Sequence, residues 1–358
     1  MFGSVTRMML GASDTAKETD SPSGPHDPAQ GFDEPVTFNE PMTQERDISP
    51  ETTPRGRKMT IGLALGGGAA RGWAHIGVLR TLAAAGYDFD IIAGTSIGAV
   101  VGGCFAAGKL DDLEDFVLSL TRRRVFGLMD FNIGGSGLIS GNKLSSLLEQ
   151  NLGDTLIEDL PGKFIAVATE MRTGHEIWLQ KGHMVSALRA SYALPGVFKP
   201  TNFMGRWLFD GAMVNPVPVS VCRGLGARLV IAVNLQTDMF GKGSIVPVME
   251  DSGDESEADA SNLPRTASRL VRKQLVGASE GAPGMSAVMM DALSIMQDRI
   301  SRARMAGDPP DVTVGPRLHD VGLFDFHRAK EAIDLGAEAT ERMLGEISAA
   351  VESLRERY

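Results

Sequence analysis

Between Met59 and Ala107 the chain passes twice through one pattern: a short apolar run, a glycine-rich turn, then an apolar stretch of helical length. The first pass is MTIGLAL (59–65) into GGGAARG (66–72), with a helix opening near Ala70. The second is FDIIA (89–93) into GTSIG (94–98), with a helix from Ile97 to about Ala107. Strands alternating with helices in this way run parallel, and a parallel sheet is covered on both faces. Further strands are expected at 163–170, 176–180, 206–209, 229–235 and 312–314, and helices around 142–151, 183–191, 217–223, 286–305 and 325–357. Thr173-Gly174 between the first two of these strands reads as a hairpin turn, so the sheet is expected to be mixed. The expected fold is α/β: three layers, α/β/α, around a central, mostly parallel sheet.

Two polar stretches interrupt the pattern. Residues 1–58 hold seven of the 18 prolines and no sustained apolar period, and read as a disordered N-terminal extension. Residues 241–284 are rich in Gly, Ser and Glu and read as a mobile insertion within a single domain spanning 59–358. The net charge of −10 resides in these stretches: −4 in 1–58 and −6 in 250–259. The rest of the chain is neutral, which excludes a basic nucleic-acid footprint. Two cysteines, Cys104 and Cys222, are too few for a disulfide framework and suit a reducing compartment. The opening MFGSVTRMML is a poor signal peptide. Ile91–Gly108 is uncharged over 18 residues, but five glycines make it weakly hydrophobic, and it reads better as strand, turn and buried helix than as a membrane span.

The turn at 66–72 presents bare backbone N–H groups at the start of a helix, a setting that favours an anion. A dinucleotide pyrophosphate fits poorly, because neither Gly66 nor Gly67 starts a G-x-G-x-x-G match. Gly103–Lys109 resembles the first part of a P-loop, but Leu110 replaces the Ser/Thr that would bind magnesium. The remaining candidate is a transient oxyanion formed in acyl transfer.

Gly94-Thr95-Ser96-Ile97-Gly98 matches G-x-S-x-G in the strand–turn–helix context of a nucleophile elbow. Gly94 and Gly98 keep neighbouring backbone clear of the turn, and Ser96 stands at a helix N-terminus. On five letters alone, a tight turn without chemistry is an equal reading. A serine nucleophile needs a base. None of His26, His75, His175, His183, His319 or His327 has a local setting that looks catalytic, although His319 and His327 come late enough in the chain to complete a hydrolase triad. Asp210, at the end of the 206–209 strand and followed by Gly211-Ala212, is the alternative.

Taken in order, GGGAARG (66–72), GTSIG (94–98) and DGA (210–212) resemble the three motifs of the patatin-like phospholipases. The segment Arg189–Pro200 (RASYALPGVFKP) and the run Asn215-Pro-Val-Pro218 extend the likeness, which covers roughly 59–240. The resemblance implies Ser96 as nucleophile and Asp210 as its base, with the N–H groups of Gly67, Gly68 and Ala69 holding the oxyanion. It implies that Arg71, ahead of Gly72, holds that loop or attracts an anionic head group. Ala69 stands where many members have glycine, a cost if that position takes a positive φ.

The implied activity is a serine acyl hydrolase of phospholipase A or lysophospholipase type, acting through a Ser-Asp dyad and an acyl-enzyme, with no metal and no cofactor. The implied partner is a lipid acyl ester, with no nucleic acid; no protein partner can be read. Arg122–Met129 and the Met-rich 285–305 are the two candidates for a lipid entrance, although a solvated basic turn and a packed core helix are the readings favoured for them. The expected location is the cytoplasm, with peripheral contact at the inner membrane surface. Two alternatives remain: a non-catalytic lipid-binding regulatory module, and a thioesterase or small-ester hydrolase on the same machinery.

Overall fold

The computed structural model describes residues 59–128, 137–139, 142–237 and 285–356. The readings of 1–58 as an extension and of 241–284 as an insertion lie outside these residues.

Ten strands are described: β1 (Ile61–Leu65), β2 (Ile91–Thr95), β3 (Gly137–Ile139), β4 (Lys163–Glu170), β5 (Glu176–Leu179), β6 (Gly196–Phe198), β7 (Thr201–Phe203), β8 (Arg206–Asp210), β9 (Leu229–Val233) and β10 (Val312–Val314). The described α-helices are α1 (Ala74–Ala84), α2 (Ile97–Ala106), α3 (Leu110–Leu118), α4 (Arg122–Leu128), α5 (Asn142–Leu152), α6 (Met184–Ser191), α7 (Val219–Gly224), α8 (Met285–Gly307) and α9 (Ala329–Glu356). Strands β10, β9, β1, β2 and β4 pair in parallel in that order, while β5, β8 and β7 add antiparallel. A small parallel pair, β3 with β6, stands apart.

The central strands read as unbroken apolar runs because both faces are buried. Leu63, Leu65, Ile92, Phe164, Ala166, Ile231 and Val233 belong to the core shared with α1, α2 and α9. Ala64, Ala93, Ile165, Val167, Val230 and Ala232 belong to the opposite core, closed by α7 through Val219, Val221 and Cys222. Period-2 alternation thus divides each strand between two helical layers, which is the expected α/β/α arrangement. Helix α1 lies against α9 at a backbone contact that only glycine permits. A Cβ on Gly77 would stand 2.0 Å from Ile333 O, and one on Gly336 2.0 Å from Ala74 O.

The strand β2 starts at Ile91 rather than Phe89 and runs to Thr95, so Ser96 follows its last residue directly. Helices α3 and α4 occupy a stretch for which the sequence suggested no regular element beyond a basic turn at 122–129. The P-loop look-alike is the end of α2: Gly103 is helical, and Gly108 takes φ +68° just past the helix end. No helix among the described residues is long and apolar enough to cross a membrane.

The register around β4 positions the site. Val167 pairs with Thr95 of β2 on one edge and Trp178 of β5 on the other, while Ala168 pairs with Asp210 of β8 and Ile177 of β5. Since β5 takes one edge from Ala166 to Thr169, β2 and β8 lie end to end along the other, with their carboxyl ends meeting. Asp210 therefore reaches the carboxyl end of the parallel strands although its own strand runs against them.

Candidate active site

The elbow puts Ser96 at φ +58°, ψ −124°. This is a strained conformation for a residue with a Cβ, costing on the order of 1–3 kcal/mol. Flanking glycines make the turn possible: a Cβ on Gly98 would stand 2.3 Å from Leu65 O, and one on Gly94 2.5 Å from Ala99 Cα. Gly72 is required as well, since its Cβ would stand 2.1 Å from Ile97 Cγ2. Thr95 Oγ1 donates to Asn215 O at 2.9 Å. The Ser96 N–H donates to Ser191 Oγ at 2.9 Å, and that hydroxyl donates to Val167 O at 2.6 Å.

The Ser96 hydroxyl donates to Asp210 Oδ2 at 2.6 Å. The other carboxylate oxygen, Oδ1, accepts the Ala212 N–H at 2.8 Å. Gly211 cannot bear a side chain, because its Cβ would stand 2.3 Å from Val167 O. Thr169 Oγ1 donates to Asp210 O at 2.9 Å and fixes the backbone. Asp210 is only 2% exposed. Burial raises its pKa to about 6 against the opposing pull of the hydrogen bonds from Ser96 and Ala212.

The glycine loop is tied on both sides of its centre. Gly66 N–H donates to Val233 O at 3.0 Å, Gly67 N–H to Pro216 O at 2.9 Å and Ala70 N–H to Leu323 O at 3.0 Å. The buried Arg71 donates from Nε to Val321 O at 2.7 Å. His75, fully buried, meets Gly66 O through Nε2 at 2.7 Å, and burial lowers its pKa to about 4, so it is neutral and donates there. Between these ties the N–H groups of Gly68 and Ala69 have no acceptor among the described residues, and both residues line the cavity that holds Ser96 and Asp210. Gly67, grouped with them from the sequence, has its N–H committed to Pro216 instead. Ala69 takes φ +51°, the costly alternative for alanine. The Ile97 N–H, one residue past the serine, also has no acceptor among the described residues.

The run Asn215-Pro216 thus accepts both from the elbow, through Thr95, and from the loop, through Gly67. That joint role, and the Ser191 clamp, are functions the sequence motifs did not indicate. Ser191 does lie within the 189–200 segment, and only tertiary contact reveals what it holds. Among the described residues no histidine partners either dyad residue. His327 accepts from Arg122 Nε at 3.0 Å, and His319 is exposed beside Asp320.

Beyond the dyad the cavity is largely apolar, with Tyr192, Ser294 and Gln297 as polar exceptions. Its lining includes Leu113, Phe116 and Leu120, Val125, Leu148, Met290 and Leu293 of α8, and Phe324 and Phe326. Among the described residues no cluster of His, Cys, Asp and Glu could hold a metal ion, and Cys104 and Cys222 are free and buried.

The sequence profile of the patatin-like phospholipases matches residues 63–223. An uncharacterised NTE family protein of Mycobacterium tuberculosis is 33% identical, over 79% of this chain and 91% of its own. A patatin-like phospholipase domain-containing protein of Caenorhabditis elegans is 34% identical over 51% of this chain and 14% of its own length. The crystal structure of VipD from Legionella pneumophila overlaps 84% of this chain at 13% identity with a TM-score of 0.34. The chain belongs to the patatin-like phospholipase family, whose members point to lipid ester hydrolysis.

Proposed function

We propose that this chain is a serine hydrolase of lipid acyl esters, of phospholipase A or lysophospholipase type, working through Ser96 and Asp210. The observation that carries the reading is the 2.6 Å contact between Ser96 Oγ and Asp210 Oδ2 in the wall of a largely apolar cavity. An acyl chain fits such a wall, and its ester carbonyl then reaches the serine.

In this mechanism Ser96 Oγ attacks the carbonyl carbon as its proton passes to Asp210 Oδ2. The carbonyl oxygen gains the electron pair and is held by the N–H groups of Gly68 and Ala69, assisted by the N-terminus of α2. Collapse of the tetrahedral species expels the alcohol, which takes the proton from Asp210. Water then attacks the acyl-enzyme, gives its proton to Asp210, and the fatty acid leaves as the proton returns to Ser96. A carboxyl group of pKa near 6 is ionised at neutral pH and is a better base than an ordinary aspartate.

A non-catalytic binding module would use the same cavity, but it would have no use for the strained conformation of Ser96. Fluorophosphonate labelling with intact-mass readout separates the two. Wild type should gain one adduct, Ser96→Ala none, and Asp210→Asn should label far more slowly. Folded wild type that takes no label, with or without lipid, would overturn the hydrolase.

A further inference from the structure

Helix α8 has two faces with different neighbours. Met290, Leu293, Ser294 and Gln297 recur at helical spacing and line the catalytic cavity. Val288, Met289, Ala292, Ile295 and Met296 recur at the same spacing one face over and are open to solvent. Val288, Met289, Ile295 and Met296 are each between 45% and 48% exposed. At about 100° per residue the exposed set spans an arc of roughly 120°. It continues along the helix into the exposed Arg299.

The C-terminal half of α8 is anchored. Asp298 and Ser301 are buried, and Arg304 pairs with Glu176 at 3.0 Å. The half that carries the exposed stripe is the half that walls the cavity. Phe324 is 41% exposed while lining the same cavity. Arg122, Arg123 and Arg124 are exposed on α4 immediately before Val125, which also lines the cavity.

We infer that the outer face of α8, from Val288 to Met296, is a docking surface for an anionic lipid bilayer, which brings the cavity rim to the aggregate holding its substrate. The inference rests on the reading of the cavity as an acyl-chain site. A bilayer fits better than a protein for two reasons. One helix presents apolar side chains to both the cavity and the solvent, so the docked lipid is continuous with the acyl site. Arg299 continues the stripe and the exposed Arg122–Arg124 precede cavity-lining Val125, with Asp291 the acidic residue bordering the stripe on α8; arginines beside apolar groups bind the headgroup boundary of anionic membranes.

The test is flotation of the full-length Ser96→Ala protein with vesicles of phosphatidylglycerol and phosphatidylcholine, and with phosphatidylcholine alone, so that binding is read without turnover. The protein should float with the anionic vesicles. Adding Ile295→Gln with Met296→Gln should weaken that binding by about tenfold or more. The same pair in the catalytic background should leave hydrolysis of a water-soluble short-chain ester within about twofold. Val288→Gln, on the same face two turns earlier, should show a smaller loss in the same direction and keeps the test valid if the double variant unfolds. Absence of flotation with anionic vesicles overturns the proposal, as does equal flotation of parent and variants. If the substitutions dissolve a dimer without changing flotation, the face belongs to a second copy and the proposal also fails. Fluorophosphonate labelling of Ser96 is scored independently, so failure of the hydrolase and failure of the docking surface are distinguishable.

Discussion

The Ser191 hydroxyl holds the backbone of Ser96: it accepts the Ser96 N–H at 2.9 Å while donating to Val167 O at 2.6 Å. Helix α6 therefore fixes the elbow to β4 at the point where Asp210 arrives. Ser191→Ala leaves a buried N–H and a buried carbonyl unpaired, which should cost about 1–3 kcal/mol of stability. With the elbow no longer held, kcat should fall about tenfold while KM changes little. Thermal unfolding and steady-state kinetics on one ester check both halves.

Base catalysis by Asp210 requires the ionised carboxylate. With its pKa raised to about 6, kcat/KM should climb through a single inflection near that pH and stay level above it. The profile should be unchanged in His319→Ala and His327→Ala. An inflection that disappears with either histidine would transfer the role of base to it.

Asp210 and His75 act on stability in opposite senses. Asp210 holds its proton more tightly folded than unfolded, so stability is lost as pH rises from 3.8 to about 6. His75 binds its proton less tightly folded, so stability is lost as pH falls from 6.5 to about 4. Each is worth on the order of 3 kcal/mol, and the two windows overlap. Asp210→Asn should therefore be more stable than wild type at pH 7 and equal to it at pH 4. His75→Gln, which keeps a donor for Gly66 O, should remove the acid-side loss. Urea unfolding at four pH values between 4 and 7 reads both differences directly.

Ala69 sits at φ +51° with its N–H turned to no described acceptor. Left-handed backbone costs alanine about 1 kcal/mol or more, partly offset by the greater freedom of an unfolded glycine. Ala69→Gly should leave the melting temperature equal or slightly higher and preserve activity. Gly68→Ala should do the reverse, because its Cβ would stand 2.9 Å from Leu235 Cδ1. A drop in melting temperature for Ala69→Gly would count against a left-handed backbone at this position.

The residues legible in the sequence are those with a local signature. Ser96 and Asp210 each end a strand at a glycine turn, and the parallel order of β1 and β2 follows from the helix between them. The antiparallel direction of β8 was not legible, because nothing in 206–210 records which edge of β4 it will join. Ser191 and the commitment of the Gly67 N–H were equally hidden: both depend on a carbonyl more than twenty residues away, Val167 for one and Pro216 for the other. Helix α8 defeated its reading differently. Its methionines make it a candidate lipid entrance while a packed core helix is the favoured reading, and hydrophobicity alone does not distinguish a side chain facing a core from one left in water.

The head-on meeting of β2 and β8 along β4 also has a consequence during synthesis. Ser96 and Asp210 are 114 residues apart in the chain, and the strands that carry them both pair with β4. A nascent chain that ends at β4 carries the G-x-S-x-G turn but neither Ser191 and Asn215, which hold it, nor Asp210. The proposed dyad therefore forms only when β8 joins the edge of β4 beyond β2, and the loop beside it is tied later still, through Pro216, Val233, Val321 and Leu323.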